Sequence, residues 1–244
     1  TVDNKDLEDN ILIKSDGLPT YNFANVIDDH LMGINVVIRG VEYLSSTPKY
    51  NLLYRALGWE LPQYIHLQPI MRDAQHKLSK RHGDASYEDF IKKGYLKEAI
   101  VNYIALLGWS PKDNREKLSL DEMIELFSLD GISKSASIFD EAKMRWLNGQ
   151  YIKELSDEAF YEKAKPFLEK CDYLKGFDLR YLAGLLKGRT EVLSDVADLT
   201  AFIDKFDGFD LDLFCNQKWK TDRNTAAAML PDLLPLLDAD NLHA

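Results

Sequence analysis

A dense run of cationic and hydroxyl side chains lies at Lys77-Leu78-Ser79-Lys80-Arg81. It places three positive charges and one hydroxyl within five residues, with His76 and His82 directly beside it. Positioned lysine and arginine side chains stabilise the charge of a transferring phosphoryl group. The run therefore predicts a loop that grips a polyphosphate, although the same residue types are also typical of a solvated basic turn.

Two short apolar runs and a helix between them are the elements that would position this loop. Asn35–Gly40 and Tyr64–Ile70 are predicted strands, because β-branched and aromatic residues fill them and Gly or Pro bounds them. Between them, Thr47 is the predicted N-cap of a helix with Pro48 in its first turn, and Gly58 is predicted to end it. The face that this helix is predicted to bury comprises Leu52, Leu53, Ala56 and Leu57.

A strand–helix–strand unit of this length predicts two parallel strands that end at the same edge of a sheet. In open α/β sheets, ligands bind outside the carboxyl ends of the strands. Arg39 and Glu42 follow the first strand, whereas Arg72 and the Lys77–Arg81 run follow the second. The topology thus predicts a basic, ligand-facing edge and favours the polyphosphate interpretation of the loop.

The rest of the chain has helical periodicity and almost no strand signal. Ser119-Leu120-Asp121-Glu122 fits a capping box at a helix start. Helical spacing of apolar residues recurs at Leu96–Leu107, Glu158–Cys171, Leu179–Leu186, Val196–Phe206 and Thr225–Leu237. The predicted fold class is therefore α/β followed by all-α, with a division near residue 150.

The bulk composition restricts the function classes. The 244-residue chain has a net charge of −10, so any RNA contact would have to use local cations. Cys171 and Cys215 match no disulfide or zinc spacing, which favours a reduced, cytoplasmic setting. No apolar run is long enough to span a membrane. The candidate RNA-contacting cations are Lys92, Lys93, Lys97, Lys134, Lys143, Arg180, Lys187 and Arg189.

Six segments resemble the bacterial-type glutamyl-tRNA synthetase family, in the family's order and near its spacing. Lys77–Arg81 resembles the lysine-serine-lysine signature loop of class I aminoacyl-tRNA synthetases. The other five segments are Ser15–Asn22, Asn25–Ile34, Val37–Gly40, Leu44–Lys49 and Asn102–Pro111.

This resemblance implies a domain order and a reaction. Residues 1–84 would be the C-terminal half of a Rossmann-like class I catalytic fold, 85–150 a helical stem-contact region, and 151–244 a truncated helical anticodon-binding domain. Glutamate would attack the α-phosphate of ATP to give glutamyl-adenylate, and the glutamyl group would pass to the terminal ribose of tRNA(Glu). The implied partners are L-glutamate, ATP with Mg²⁺, and tRNA(Glu), bound by a monomer without membrane contact.

The resemblance also assigns roles to single residues. Lys77, Ser79 and Lys80 match the catalytic loop. Matches to the ATP site are Glu42, Lys77, Leu78, Lys80 and Arg81, and matches to the glutamate pocket are Tyr21, Asn25 and Arg39; no protein ligand to a metal is implied. Asp28 and Asp29 are predicted to cap the helix that carries His30 and not to form an acid–base pair.

The chain departs from the family at its first signature, because no His-x-Gly-His segment occurs. We therefore expect a fragment that lacks the N-terminal half of the catalytic domain and is inactive alone. Val41 and Tyr43 stand where the family commonly has an acid and a tryptophan. Three alternatives remain: a non-catalytic tRNA-binding helical fragment or paralogue, a glutamyl transferase that modifies a tRNA base, and a small adenylyltransferase suggested by Ser45-Ser46-Thr47. The helical residues 151–244 count against the second, and Asn102–Pro111 against the third.

Overall fold

The computed structural model describes residues 2–3, 5, 7–78, 86–204 and 210–233 of the chain. Two strands form within these ranges, β1 (Val36–Gly40) and β2 (Gln63–Leu67), and all longer elements are helices. An α/β part followed by an all-helical part is thus confirmed. The helices are α1 (Tyr21–Leu31), α2 (Thr47–Ala56), α3 (Tyr87–Lys93), α4 (Lys97–Leu106), α5 (Leu120–Leu126), α6 (Glu141–Glu154), α7 (Asp157–Leu168), α8 (Leu179–Leu186), α9 (Asp195–Thr200) and α10 (Arg223–Leu233).

The predicted strand–helix–strand unit is present, and its strands are parallel. β1 and β2 pair in a register that sets Arg39 opposite His66 and Gly40 opposite Leu67. Both strands end at the same edge, so the residues that follow them emerge together. The second strand is shorter than predicted, because pairing stops at Leu67 and Pro69 has no N–H to continue the ladder.

The predicted apolar face of α2 is wrong. Tyr50 and Tyr54 are the buried residues of this helix, and they pack against Val26 of α1. Of the predicted face, Leu53 is half-buried, and the other three residues, Leu52, Ala56 and Leu57, are exposed. Tyrosine combines a large apolar ring with a polar hydroxyl, so it can fill a core position that a hydropathy pattern assigns to leucine.

The ends of α2 confirm one prediction and correct another. Ser46, not Thr47, is the N-cap residue, and the Thr47 hydroxyl instead donates to the carbonyl of Tyr43 at 2.9 Å. Gly58 follows the helix with φ +73°. The N–H groups of Gly58 and Trp59 donate back to the last turn, which is the Schellman arrangement that favours glycine.

A β-hairpin that the sequence did not predict lies between β2 and the signature loop. Met71 pairs antiparallel with Lys77 and, on its other side, parallel with Ile138. The Leu78 N–H donates to the Ile70 carbonyl at 2.9 Å, and the Arg72 N–H donates to the His76 carbonyl at 2.8 Å. This hairpin carries the chain directly into the loop and connects it to a segment far along the sequence.

The helices after residue 86 share their cores. Leu96 and Ala99 of the first part pack with Ile152, Phe160 and later residues, and Val192 packs with Tyr103 and Met144. Residue 150, where a division was predicted, lies inside the continuous helix α6. The assignment of 85–150 and 151–244 to separate domains remains a prediction. The capping box at Ser119 is confirmed by reciprocal bonds with Glu122.

Two side chains of α6 join these helices to the loop before α9. The Asn148 amide accepts from the Leu96 N–H at 2.8 Å and donates to the Glu191 carbonyl. The Arg145 Nη2 donates to both carboxylate oxygens of Asp195, at 2.9 and 2.8 Å. Because such contacts satisfy buried polar groups, they hold the two parts of the helical region in one orientation.

No helix in the described ranges is both long and apolar enough to cross a membrane.

Candidate functional site

The Arg39 side chain lies at the carboxyl end of β1 among three tyrosines. Its Nη1 donates to the Tyr21 hydroxyl at 2.7 Å. Its guanidinium carbon lies 4.9 Å from the centre of the Tyr43 ring and 6.0 Å from the ring centres of Tyr21 and Tyr50. Electron-rich ring faces stabilise a cation and leave the planar donor edge of the guanidinium available.

No acidic side chain in the described ranges forms an ion pair with Arg39. Burial lowers the pKa of Arg39, but the hydrogen bond to Tyr21 and electrostatic interactions with Tyr21, Tyr50 and Asp29 outweigh it, so the pKa is raised overall. The guanidinium is therefore held as a cation, and within the described ranges its side chain donates one hydrogen bond, to Tyr21. A half-buried arginine of this kind can accept a ligand carboxylate through two parallel N–H···O bonds.

The structure brings Tyr21 and Arg39 together, whereas no contact in the described ranges joins Asn25 to Arg39. Tyr21 and Asn25 lie four residues apart on α1, as predicted, but the Asn25 amide nitrogen is buried without a hydrogen-bond partner among the described residues. The neighbouring Asn22 instead accepts from the Tyr50 hydroxyl at 3.1 Å. Because buried polar groups are usually hydrogen-bonded, this amide is an unsatisfied donor one turn along α1 from Tyr21.

Tyr43 and Tyr50 contact the Arg39 guanidinium, but the sequence did not identify them as candidate site residues. Tyr43 lies in the short 3₁₀ turn Val41–Tyr43 directly after β1, and Tyr50 lies on the buried face of α2. Two features of the sequence could have identified them. Tyr43 follows Arg39 by four residues, and Tyr50 and Tyr54 lie four residues apart in the next predicted helix. Only the packing of α1 on α2 brings them to one cation.

Glu42 is exposed in the turn after β1, and its carboxylate folds back over Gly40. An added Cβ at residue 40 would meet only this carboxylate, which is the end of a flexible, exposed side chain and could move aside. The Thr47 hydroxyl at the start of α2 lies 3.2 Å from the His66 Nε2 on β2. Glu42 therefore lies at the predicted ligand-binding edge, close to the backbone of β1.

Lys77 and Leu78 close the hairpin that leads to the signature loop, and Lys77 is exposed with no ion-pair partner among the described residues. The turn of the hairpin is organised by Asp73, whose carboxylate accepts from the N–H groups of Gln75 and His76 at 2.9 Å each. These bonds, with further ones from the His76 ring and Arg72, hold the pKa of Asp73 well below its usual range. Ser79, Lys80 and Arg81 lie outside the described residues.

Asp28 and Asp29 do not cap α1 with their carboxylates. Their backbone carbonyls accept instead, from Met32 and Ile34 at 2.8 Å each. The neighbouring His30 ring stacks on Trp59 with centroids 3.7 Å apart. The two residues therefore cap the end of α1 through their main-chain carbonyls, and the helix ends before Gly33.

Most candidate RNA-contacting cations already have acidic partners. Lys134 and Arg189 form no ion pair with any residue in the described part of the chain. Pairing with a neighbouring acid weakens the attraction of a cation for phosphate, so these two cations are the stronger candidates for phosphate contact. The pairs are Lys92–Asp89, Lys97–Glu98, Lys143–Glu116, Arg180–Glu158 and Lys187–Asp157.

Two family models match the chain. Residues 1–146 match the tRNA synthetases class I (E and Q) catalytic domain, and residues 159–243 match an anticodon binding domain. The glutamate–tRNA ligase of Clostridium botulinum strain Eklund 17B is 56% identical over 238 residues, which are 98% of this chain and 49% of that protein. That of Clostridium novyi is 51% identical over 242 residues, 98% of this chain and 50% of that protein.

A solved structure gives the same result at the level of the fold. The chain resembles a glutamate tRNA ligase from Elizabethkingia meningosepticum, crystallised in complex with its amino acid, with a TM-score of 0.76 and 34% identity. The match covers 98% of this chain and 51% of that one. The chain spans about half the length of the curated relatives it matches. It belongs to the family of class I tRNA synthetases for glutamate and glutamine.

Proposed function

We propose that this chain is the part of a glutamate–tRNA ligase that carries the glutamate-binding arginine, the ATP-binding loop and the tRNA-binding helices. The observation that carries the proposal is the presence of both family matches on one chain whose curated relatives are glutamate–tRNA ligases. The resulting reaction activates glutamate with ATP and then charges tRNA(Glu).

Arg39 is the residue that selects the amino acid in this proposal. Its charge is not neutralised by an acid of the described chain, so it favours the carboxylate of glutamate over the neutral amide of glutamine. The Tyr21 hydroxyl orients the guanidinium at 2.7 Å, and the unpartnered Asn25 amide offers a second donor. These contacts support a glutamate pocket at the end of β1.

ATP is assigned to the same edge of the sheet. Lys77, Ser79, Lys80 and Arg81 would hold its phosphates, with Leu78 and Glu42 beside the nucleotide. Lysine side chains placed on the phosphates offset the charge that develops as pyrophosphate leaves. No group of three or more His, Cys, Asp or Glu residues within the described ranges could hold a metal ion, so Mg²⁺ would arrive with the ATP as part of the substrate.

The reaction consists of two displacements at this edge. A carboxylate oxygen of glutamate attacks the α-phosphorus of ATP and releases pyrophosphate. A hydroxyl of the terminal ribose of tRNA(Glu) then attacks the glutamyl carbonyl and releases AMP. The helices from residue 86 onward would bind the tRNA stem and anticodon, and the protein would act as a monomer in the cytoplasm.

The test is charging of purified tRNA(Glu) by the full-length protein that contains this chain, with glutamate and glutamine compared. The proposal expects glutamate-dependent ATP–pyrophosphate exchange and glutamyl-tRNA formation, and little of either with glutamine. The isolated 244-residue chain should give no exchange even with tRNA present. Turnover by the isolated chain would overturn its assignment as an incomplete site, and equal use of glutamine would overturn the role of Arg39.

A second candidate function is tRNA binding without catalysis, favoured by the anticodon-binding match at residues 159–243. Filter binding of tRNA, with and without residues 1–84, distinguishes the two. Unchanged affinity after their removal, together with no exchange by the full-length protein, would favour the binding function.

A further inference from the structure

Met71 is the residue that connects the hairpin below the signature loop to the helical part of the chain. Its N–H donates to the Ser137 carbonyl at 2.8 Å, and its own carbonyl accepts from the Phe139 N–H at 2.8 Å. Its other edge pairs with Lys77. Met71 therefore lies in the middle of a three-segment ladder, and the position of Lys77 depends on where Ser137–Phe139 is held.

Tyr103 of α4 holds that segment. Its hydroxyl donates to the Asp140 carbonyl at 2.8 Å and accepts from the Asp140 N–H at 2.8 Å. Its ring packs edge-to-face on Phe139, with centroids 5.4 Å apart. Asp140 is also the N-cap of α6, so one buried hydroxyl fixes the junction between the ladder and the helix.

We propose that Tyr103 is a positioning residue for Lys77, acting through Asp140, Phe139 and Met71. The inference rests on the proposed function, in which Lys77 holds the phosphates of ATP. Each step is a described contact: Tyr103 to the backbone of Asp140, Phe139 to Met71, and Met71 to Lys77. The Tyr103 hydroxyl accepts from the peptide group before Asp140 and donates to the one after it, so it restrains the backbone on both sides of this residue, which a phenylalanine ring alone cannot do.

The experiment compares Tyr103→Phe with Tyr151→Phe. Tyr151 is a matched control, because its hydroxyl also bonds within the helical core, to the Leu118 carbonyl at 2.6 Å and to Asn102 at 2.8 Å. These hydroxyl bonds do not involve Ser137–Phe139, although the Tyr151 ring packs against the same apolar cluster as Phe139. Amide hydrogen exchange is measured at Met71 and Phe139 in this chain. The kcat of glutamate-dependent pyrophosphate exchange and the KM for glutamate are measured in the full-length protein.

For Tyr103→Phe we expect amide exchange at Met71 and Phe139 to become about tenfold faster. A change of this size corresponds to the loss of one to two hydrogen bonds. The kcat should fall about tenfold while the KM for glutamate stays unchanged, and amides in the middle of α4 should keep their protection. Tyr151→Phe should change neither quantity at these positions.

Several outcomes overturn the inference. These are unchanged exchange in Tyr103→Phe, faster exchange with unchanged kcat, or the same effects in Tyr151→Phe. If the wild-type full-length protein shows no pyrophosphate exchange with tRNA(Glu) present, the proposed function fails, and with it the positioning role of Tyr103 in catalysis. The amide comparison in that case still decides whether Tyr103 holds the ladder.

Discussion

Gly94→Ala should destabilise the chain through two separable effects. Gly94 follows α3 with φ +95°, a left-handed conformation that costs an alanine about 1–2 kcal/mol. An added Cβ would also lie 2.7 Å from the Leu193 Cβ and 3.1 Å from the Leu193 backbone nitrogen. Overpacking of this kind costs about 1–3 kcal/mol, so the total is about 2–5 kcal/mol.

Gly176→Ala separates the two effects, because Gly176 has φ +96° but an added Cβ would meet no described residue within 4 Å beyond its two chain neighbours. It should cost only the conformational part, about 1–2 kcal/mol. Urea or thermal unfolding, followed by circular dichroism, measures both variants against the wild type. At this chain length each kcal/mol lowers the melting temperature by about 2–4 °C.

Equal losses in the two variants would refute the packing argument. They would mean that Leu193 moves aside at no cost, although its N–H donates to the Gly94 carbonyl at 3.1 Å. If Gly94→Ala lowers the free energy of unfolding much more than Gly176→Ala does, the result supports close packing of the Glu191–Leu193 loop on the α3–α4 turn. This packing helps to orient the proposed tRNA-binding helices.

The other predictions concern the amide link, the site arginine and the hairpin turn. Asn148→Ala should cost about 2–6 kcal/mol in urea unfolding, because the buried Leu96 N–H and the part-buried Glu191 carbonyl lose their partners. A loss within about 0.5 kcal/mol, as expected for the exposed Asn224→Ala, would contradict this. Arg39→Lys should raise the KM for glutamate about tenfold in the full-length protein, since lysine lacks the bidentate donor pair, and an unchanged KM would remove its assignment. The pKa of Asp73 is lowered, so its stabilising bonds are present above pH about 3.9 and are lost only as pH falls further; the Gln75 amide shift should therefore titrate below that value in NMR spectra, and a midpoint at or above it would be inconsistent with those bonds.

Local sequence patterns determined the elements well. The parallel pair, the capping box at Ser119 and the glycine that ends α2 were all predicted from neighbouring residues. Each strand, cap and helix end depends on side chains within a few positions of one another, and the parallel pairing follows from the order strand–helix–strand, so composition and spacing contain the needed information. The edge where Arg39 and Lys77 emerge follows from the same local rules, because parallel strands end together.

Tertiary structure alone decided how these elements meet. The tyrosines around Arg39 come from α1, the turn after β1 and α2, and the hydropathy pattern placed leucines where Tyr50 and Tyr54 are buried. The ladder through Met71 pairs residues more than sixty positions apart in sequence. Such contacts depend on the three-dimensional path of the chain and on hydrogen bonds between distant backbone groups. A sequence therefore shows which residues could do the chemistry, whereas long-range packing decides which of them meet.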